Sequence, residues 1–403
     1  MTARHENGGR AAALAAHLSG LDGVDPGWAA AFAHVPRHVF VPAFYPTLDT
    51  DGTNPPQLFD GAGPADRQQW LDAIYRDESL ITRCALTPGT TDLWQSTSSS
   101  TRPSLMARML TLLDAAPRSA DSDPIRVLEV GTGTGYNTAL LSRRLGAENV
   151  ASIDLDPTLV DLARTRLTGL GHHPALAAGD GALGLGIHGP YHRILATCAV
   201  ATIPPAWIEQ LLPDGLVVAD VRGGLASSLL VARHDGEGTV SGRFLAEPGN
   251  FMWLRRHLEN PLRDGGAFVT HIDYDDARPT HTTLEPGLLH QPDFRFLLQL
   301  VAPSIERIWT SHRTGTPIVR IAAADGAWAE LDPTAHTALQ GGPTDLITDI
   351  EAAAALWQQY GRPHPARLGI TDGADGRTVW LDSPEHPLPA IVGGSFRQRE
   401  SAG

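Results

Sequence analysis

Gly131, Gly133 and Gly135 stand at alternate positions directly after the apolar run Val127-Leu128-Glu129-Val130, and Tyr136-Asn137 comes next. An apolar strand, a turn without Cβ hindrance and a helix start arrive in the order that a nucleotide-type ligand needs. Glycines at this spacing predict backbone N–H groups brought close to the ligand. About twenty residues on, Ser152-Ile153-Asp154-Leu155 closes a second apolar strand with a carboxylate suited to a ribose diol. Both features equally suit a dinucleotide, so the choice of ligand depends on residues further along the chain. Gly179-Asp180-Gly181 comes after a helix expected over 157–171, where a carboxylate accepts from an adenine amino group or merely forms a turn. Residues 191–197 read as a fourth strand.

Glu129 with its glycines, Asp154, Asp180-Gly181, then Ile203-Pro204-Pro205 and Leu211-Leu212-Pro213-Asp214-Gly215 before a strand at 216–221, form a series that resembles class I S-adenosyl-L-methionine (SAM)-dependent methyltransferases. The resemblance implies SAM as cofactor and S-adenosyl-L-homocysteine as product. It implies contacts from Glu129, Gly131, Thr132, Gly133, Gly135, Asn137, Asp154, Leu155, Asp180, Gly181 and Thr197.

Ala33-His34-Val35-Pro36-Arg37-His38-Val39-Phe40-Val41-Pro42 is similar to an N-terminal motif of protein-L-isoaspartate O-methyltransferases. The run Thr97-Ser98-Ser99-Ser100-Thr101-Arg102-Pro103, with the helix after it, resembles that family's substrate and cofactor loop. By this resemblance Thr101 takes the place of the functional serine, with Ser99 and Ser98 as further candidates for the catalytic hydroxyl and Ser100 beside the cofactor. Adjacent serines leave the register of that assignment open. Methyl transfer to a carboxylate needs little acid or base help, since a group of pKa ~4 is already ionised at neutral pH. Catalysis is then alignment of an oxygen with the sulfonium–methyl bond, and hydroxyls on Ser99 and Thr101 would hold that line.

The resemblance spans roughly residues 25–256 and ends at Phe251-Met252-Trp253-Leu254, similar to the family's closing strand. A further C-terminal third and the serine-rich loop resemble extended relatives that act with ATP-grasp ligases (graspetide maturation) or with lanthipeptide synthetases. That likeness implies a peptide partner, a cyclised ribosomal precursor whose ordinary aspartate is methylated and collapses to an aspartimide. The alternative is repair of isoaspartyl residues in damaged proteins.

These motifs require an α/β fold: a class I methyltransferase Rossmann-like sheet at 116–256, preceded by an N-terminal helical segment that carries the substrate loop at 1–115, and followed by an additional α+β domain for substrate recognition at 257–403. Helices are expected at 11–21, 28–35, 292–301 and 343–360, and strands at 267–274, 317–323 and 378–381. Residues 50–65 read as a surface loop, 121–124 as a linker, 262–266 as a boundary and 398–403 as a disordered tail. The motif at 35–42 is expected to pack the N-terminal segment over the cofactor, and the tryptophans at 309, 328, 357 and 380 to mark a core.

The net charge of -14, from 45 acids and 31 bases, argues against a nucleic-acid partner. The bases are all arginine, which excludes Schiff-base and P-loop lysine chemistry. Cys84 and Cys198 are expected to be buried thiols in a reducing cytoplasm, and neither a membrane span nor a signal peptide is apparent. His34 with His38, and His172 with His173, lack a partner at zinc-site spacing, so no metal is expected.

Overall fold

The computed structural model describes residues 3–46, 57–61, 63, 66–87, 94–115, 124–256, 274–313, 315–332, 337–392 and 395–397. The expected linker, domain boundary, tail and strand at 267–274 lie outside these residues, apart from Pro124 and Tyr274, and so does most of 50–65.

The N-terminal region consists of α1 (Ala3–Ser19), α2 (Pro26–His34), α3 (Arg37–Phe40), α4 (Arg67–Ile74), an antiparallel hairpin of β1 (Leu80–Leu86) and β2 (Trp94–Ser100), and α5 (Pro103–Leu112). Helix α2 starts where Asp25 Oδ1 accepts from Trp28 N at 2.9 Å and Pro26 supplies a preset φ. Its buried Trp28 and Phe32 join Phe40 and Leu71 in a core shared with Tyr136 and Leu140. Phe32 and Phe40 meet the Tyr136 ring at 5.9 and 5.7 Å between centroids. The 35–42 motif therefore packs against the helix that begins after the glycines.

The central part alternates β3 (Val127–Val130), α6 (Tyr136–Leu145), β4 (Val150–Asp154), α7 (Pro157–Gly169), β5 (Ala175–Ala178), β6 (Tyr191–Val200), α8 (Pro205–Glu209) and β7 (Leu211–Arg222). These five strands pair in parallel in the order β5-β4-β3-β6-β7. Alternation stops earlier than the sequence suggests. β8 (Ser227–His234) and β9 (Val240–Phe244) continue as an antiparallel meander with no intervening helix, so the sheet is mixed.

The C-terminal third holds β10 (Arg278–His281), α9 (Pro292–Val301), β11 (Ile305–Arg313), β12 (Thr316–Ala323), β13 (Trp328–Asp332), β14 (Thr337–Gly341), α10 (Leu346–Gln359), β15 (Leu368–Gly373), β16 (Gly376–Leu381), β17 (Ala390–Val392) and β18 (Ser395–Arg397). Five of these strands form a separate antiparallel sheet, β10-β14-β13-β12-β11. β15 instead pairs with β9, and β16 with β15, so among the described residues the main sheet has nine strands. A division at 257 thus cuts through one hydrogen-bonded sheet. One apolar core runs from Val130 and Trp207 through Phe244 to Phe296 and Ile350. Trp328, Trp357 and Trp380 are buried, while Trp309 is half-exposed beneath the Arg307 guanidinium. Cys84 and Cys198 are free and only partly buried, a correction to the expected burial. No described helix is long and apolar enough to cross a membrane.

Candidate active site

Strand order reverses at β3, whose neighbours are β4 on one side and β6 on the other; crevices at such switch points hold ligands. The registers Val130↔Ile153 and Val130↔Ala196 put Gly131 level with Asp154 and Thr197. Asp154 pairs with Ala178, and Gly179 N donates to Asp154 O at 2.9 Å, which brings Asp180 to the same edge.

The glycines are needed for conformation and closeness. All three have left-handed φ, +99°, +52° and +86°. A Cβ at Gly131 would lie 2.5 Å from Thr197 Oγ1, and one at Gly135 2.9 Å from Ala163 Cβ. Their N–H groups do not point to a ligand as the spacing suggests: Gly131 N and Thr132 N donate to Ile153 O, and Gly133 N donates to Asp154 Oδ2 at 2.7 Å. The loop is thereby laced to the end of β4. Asp154 Oδ1 also accepts from Asp156 N at 3.0 Å. Burial pushes the Asp154 pKa up, against these amide bonds and the nearby Arg255 charge. Two carboxylate oxygens offer about four acceptor positions, so capacity for a diol remains.

Glu129 is not at the ligand surface. It is fully buried under the loop, where it accepts from Asn137 Nδ2 at 2.7 Å, Ser152 Oγ at 2.7 Å and the Thr138 hydroxyl. Desolvation raises its pKa to about 7. The residue ties β3, β4 and the start of α6 together, correcting a direct-contact role. Thr132 is buried likewise, its hydroxyl 2.6 Å from Ser152 Oγ. Asn137 Oδ1 is buried with no partner among the described residues. Thr197 Oγ1 donates to Gly131 O at 2.7 Å. Asp180 Oδ1 accepts from Ala182 N at 2.9 Å, so this carboxylate does form a turn, and it stays half-exposed. Gly181 is required by proximity: a Cβ there would meet Val130 Cγ1 at 2.6 Å. Leu155 is half-exposed beside Asp154.

The serine run is a strand and not the expected loop. Residues 94–100 pair with β1, and side chains alternate across the ribbon. Ser98 and Ser100 face inward and are buried. Ser98 Oγ accepts from Thr82 Oγ1 at 3.0 Å and lies 3.9 Å from where a Gly133 Cβ would stand. Ser100 Oγ accepts from Arg37 at 3.3 Å. Both oxygens accept and each hydroxyl keeps a proton to donate; burial is what sets Ser98 and Ser100 apart from their neighbours on the strand. The half-exposed Ser99 and Thr101 make no side-chain hydrogen bond within the protein among the described residues. The hairpin and the glycine loop are neighbours.

Three arginines that the sequence did not single out hold this hairpin. Arg37 is wholly buried and donates to the carbonyls of Ile74, Arg76, Glu78, Ser100 and Thr101 at 2.8–3.3 Å. Burial without a paired carboxylate lowers its pKa to about 10. Arg83 on β1 meets Asp156 Oδ2 at 2.5 Å, just past Asp154. Arg255 donates to Thr97 O at 3.0 Å. The Pro36-Arg37 pair inside the N-terminal motif was the one available signal; Arg83 and Arg255 had none.

Residues 54–248 match the family described as Protein-L-isoaspartate(D-aspartate) O-methyltransferase (PCMT). A protein-L-isoaspartate O-methyltransferase of Methanoregula boonei is 30% identical over 238 residues, 57% of this chain and 88% of that protein. Its namesake from Methanococcoides burtonii is 33% identical over 147 residues, 36% of this chain and 69% of that protein. A solved structure named protein-L-isoaspartate O-methyltransferase superposes on 92% of this chain and 99% of its own, with TM-score 0.51 and 20% identity. That likeness is one of fold, and it extends into the C-terminal third.

Proposed function

We propose the acceptor from one premise: this chain belongs to the protein-L-isoaspartate O-methyltransferase family and is a SAM-dependent protein carboxyl O-methyltransferase. In our reading the acceptor is the free carboxylate of an isoaspartyl residue in a protein or peptide. The observation that carries this is the pair of unengaged hydroxyls on Ser99 and Thr101, on a strand held over the glycine loop.

The residues fit SAM. Asp154 would hold the ribose diol and Asp180 the adenine amino group, while the unpartnered buried Asn137 Oδ1 and the close-packed glycines match a ligand lying along the loop. When bound, SAM supplies an electrophilic methyl group on a sulfonium. An ionised carboxylate needs no base, so the work of this chain is orientation: Ser99 and Thr101 donate to the acceptor and aim one oxygen. Strong donation would stabilise the ground-state anion and slow transfer, and two neutral hydroxyls suit better than a guanidinium. In the resulting ester, the next residue's amide nitrogen attacks the carbonyl, its proton leaves with methoxide as methanol, and a five-membered imide closes without a protein group.

A second acceptor, an ordinary aspartate in a cyclised ribosomal precursor peptide, is favoured by the serine-rich strand. The C-terminal third no longer singles it out, because a protein of the isoaspartate name has that fold as well. Mass spectrometry of parallel SAM reactions on an isoaspartyl peptide, its aspartyl twin and a cyclised precursor separates the two. Methyl gain followed by methanol loss on the isoaspartyl peptide is expected. The same signature on the cyclised peptide alone would replace our reading with the second.

A further inference from the structure

A cavity of 1060 Å³ lies away from the glycine loop. It lies where the carboxyl ends of β6 and β7 meet the C-terminal third, and Ala201, Thr202, Leu356, Val379 and Leu388 are among the residues that line it. Drug-sized ligands occupy about 300–1,000 Å³, so the space holds several side chains of a peptide.

The glycine loop and the cavity are linked by one strand. Thr197 touches Gly131 of the glycine loop, and Ala201 is four residues further along, about 13 Å at ~3.3 Å per residue. An extended chain with its acceptor at the loop therefore reaches the cavity about four residues away. Segment 251–255 joins the two places. Met252 O accepts from Ala199 N at 2.8 Å, Arg255 reaches Thr97 O of the serine strand, and Trp253 lies 5.5 Å beneath the Arg222 guanidinium that lines the cavity.

The lining is mostly aliphatic and proline, and its cations are already engaged. Arg377 is held bidentately by Asp372 at 2.6 and 2.7 Å, and Arg222 donates to Phe251 O while it stacks on Trp253. Glu306 stands half-exposed on the wall. This chemistry takes up uncharged, apolar side chains. We infer that the cavity is a recognition subsite for an apolar segment of the substrate chain, about four to six residues from the methylated residue. The inference rests on the carboxyl-methyltransferase reading of the adjacent site.

The test uses the full chain and two isoaspartyl peptides that differ only at positions four to six on each side of the acceptor, Leu-Val-Leu against Ser-Gly-Ser, together with a three-residue acceptor. The apolar flank should lower KM about tenfold with kcat unchanged, the scale of one or two buried side chains. Thr202→Trp and Gln359→Trp, both at exposed lining positions, should abolish that preference and leave turnover of the three-residue acceptor unchanged. No flank preference in the parent chain, or a preference that survives both substitutions, overturns the subsite. Anisotropy with the same two peptides, fluorescently labelled, reads the cavity without turnover. Flank-dependent binding without methylation would sink the isoaspartyl acceptor and keep the subsite; methylation without flank dependence would do the reverse.

Discussion

Two carboxylates twenty-five residues apart, Glu129 and Asp154, divide the work of the site by depth. Asp154 sits at the surface end of its strand, and Asp154→Asn should weaken SAM binding roughly 10- to 100-fold, the range of a lost charge-assisted hydrogen bond. Calorimetry measures it, and an unchanged Kd would end the ribose assignment. Because Asp154 also accepts from Gly133 N, the thermal midpoint should fall slightly as well. Glu129 acts through stability. Its folded pKa of about 7 stands above the ordinary 4.5, so the folded state keeps a proton that the unfolded state releases. Stability from this group is fully present below about pH 4.5 and is lost as pH rises through about 7. The window is worth on the order of 3 kcal/mol. Urea unfolding of the cofactor-free chain between about pH 5 and 7.5 should show that decline, and Glu129→Gln should flatten it. A parallel slope in the variant would mean that another group carries the titration.

The hairpin β1–β2 is the element that turns a cofactor crevice into a candidate acceptor site, and it was the least legible part of the sequence. WQSTSSS has no apolar alternation, so nothing local announces a strand; pairing with LITRCAL makes it one, as β-propensity yields to context. The parity that separates Ser99 and Thr101 from Ser98 and Ser100 becomes visible only once that pairing is known. Arg37 was hidden for another reason: its partners are main-chain carbonyls, which every sequence supplies. By contrast the glycine loop, the Asp154 strand end and α9 at 292–301 were plain, because local chemistry dictates each. Arg37→Met would strip five carbonyls of their donor in a buried place, at a cost of about 3 kcal/mol or more. A thermal midpoint lower by several degrees, with faster proteolytic cleavage near the hairpin, is expected. Arg83→Ala is the control: its partly exposed pair with Asp156 should contribute under about 1 kcal/mol. Equal losses in the two variants would deny Arg37 its special place as a latch.

At the scale of the molecule, the C-terminal third is built into the catalytic sheet. β15 covers the edge of β9 through Ile370↔Gly242 and Thr371↔Ser241, and removal of residues 257–403 would bare that edge. It would also uncover Phe244, whose ring meets Phe296 at 4.8 Å, and delete the fully buried Leu368 and Ile370. Each such side chain contributes about 1.5–3 kcal/mol, against a total stability of about 5–15 kcal/mol for a domain. Polar ties go too: Asp372 Oδ2 accepts from Ile203 N at 3.0 Å, and Arg377 donates to Ala201 O at 2.7 Å, both just past the end of β6. A chain ending at residue 256 should therefore be insoluble or self-associated in size-exclusion chromatography, and should not bind SAM. If it ran instead as a cooperative monomer that bound SAM like the full chain, β15 and β16 would be passengers on a self-sufficient sheet. The cavity at the seam would then belong to a detachable module, and the shared core would have to be stable without more than half of its apolar residues.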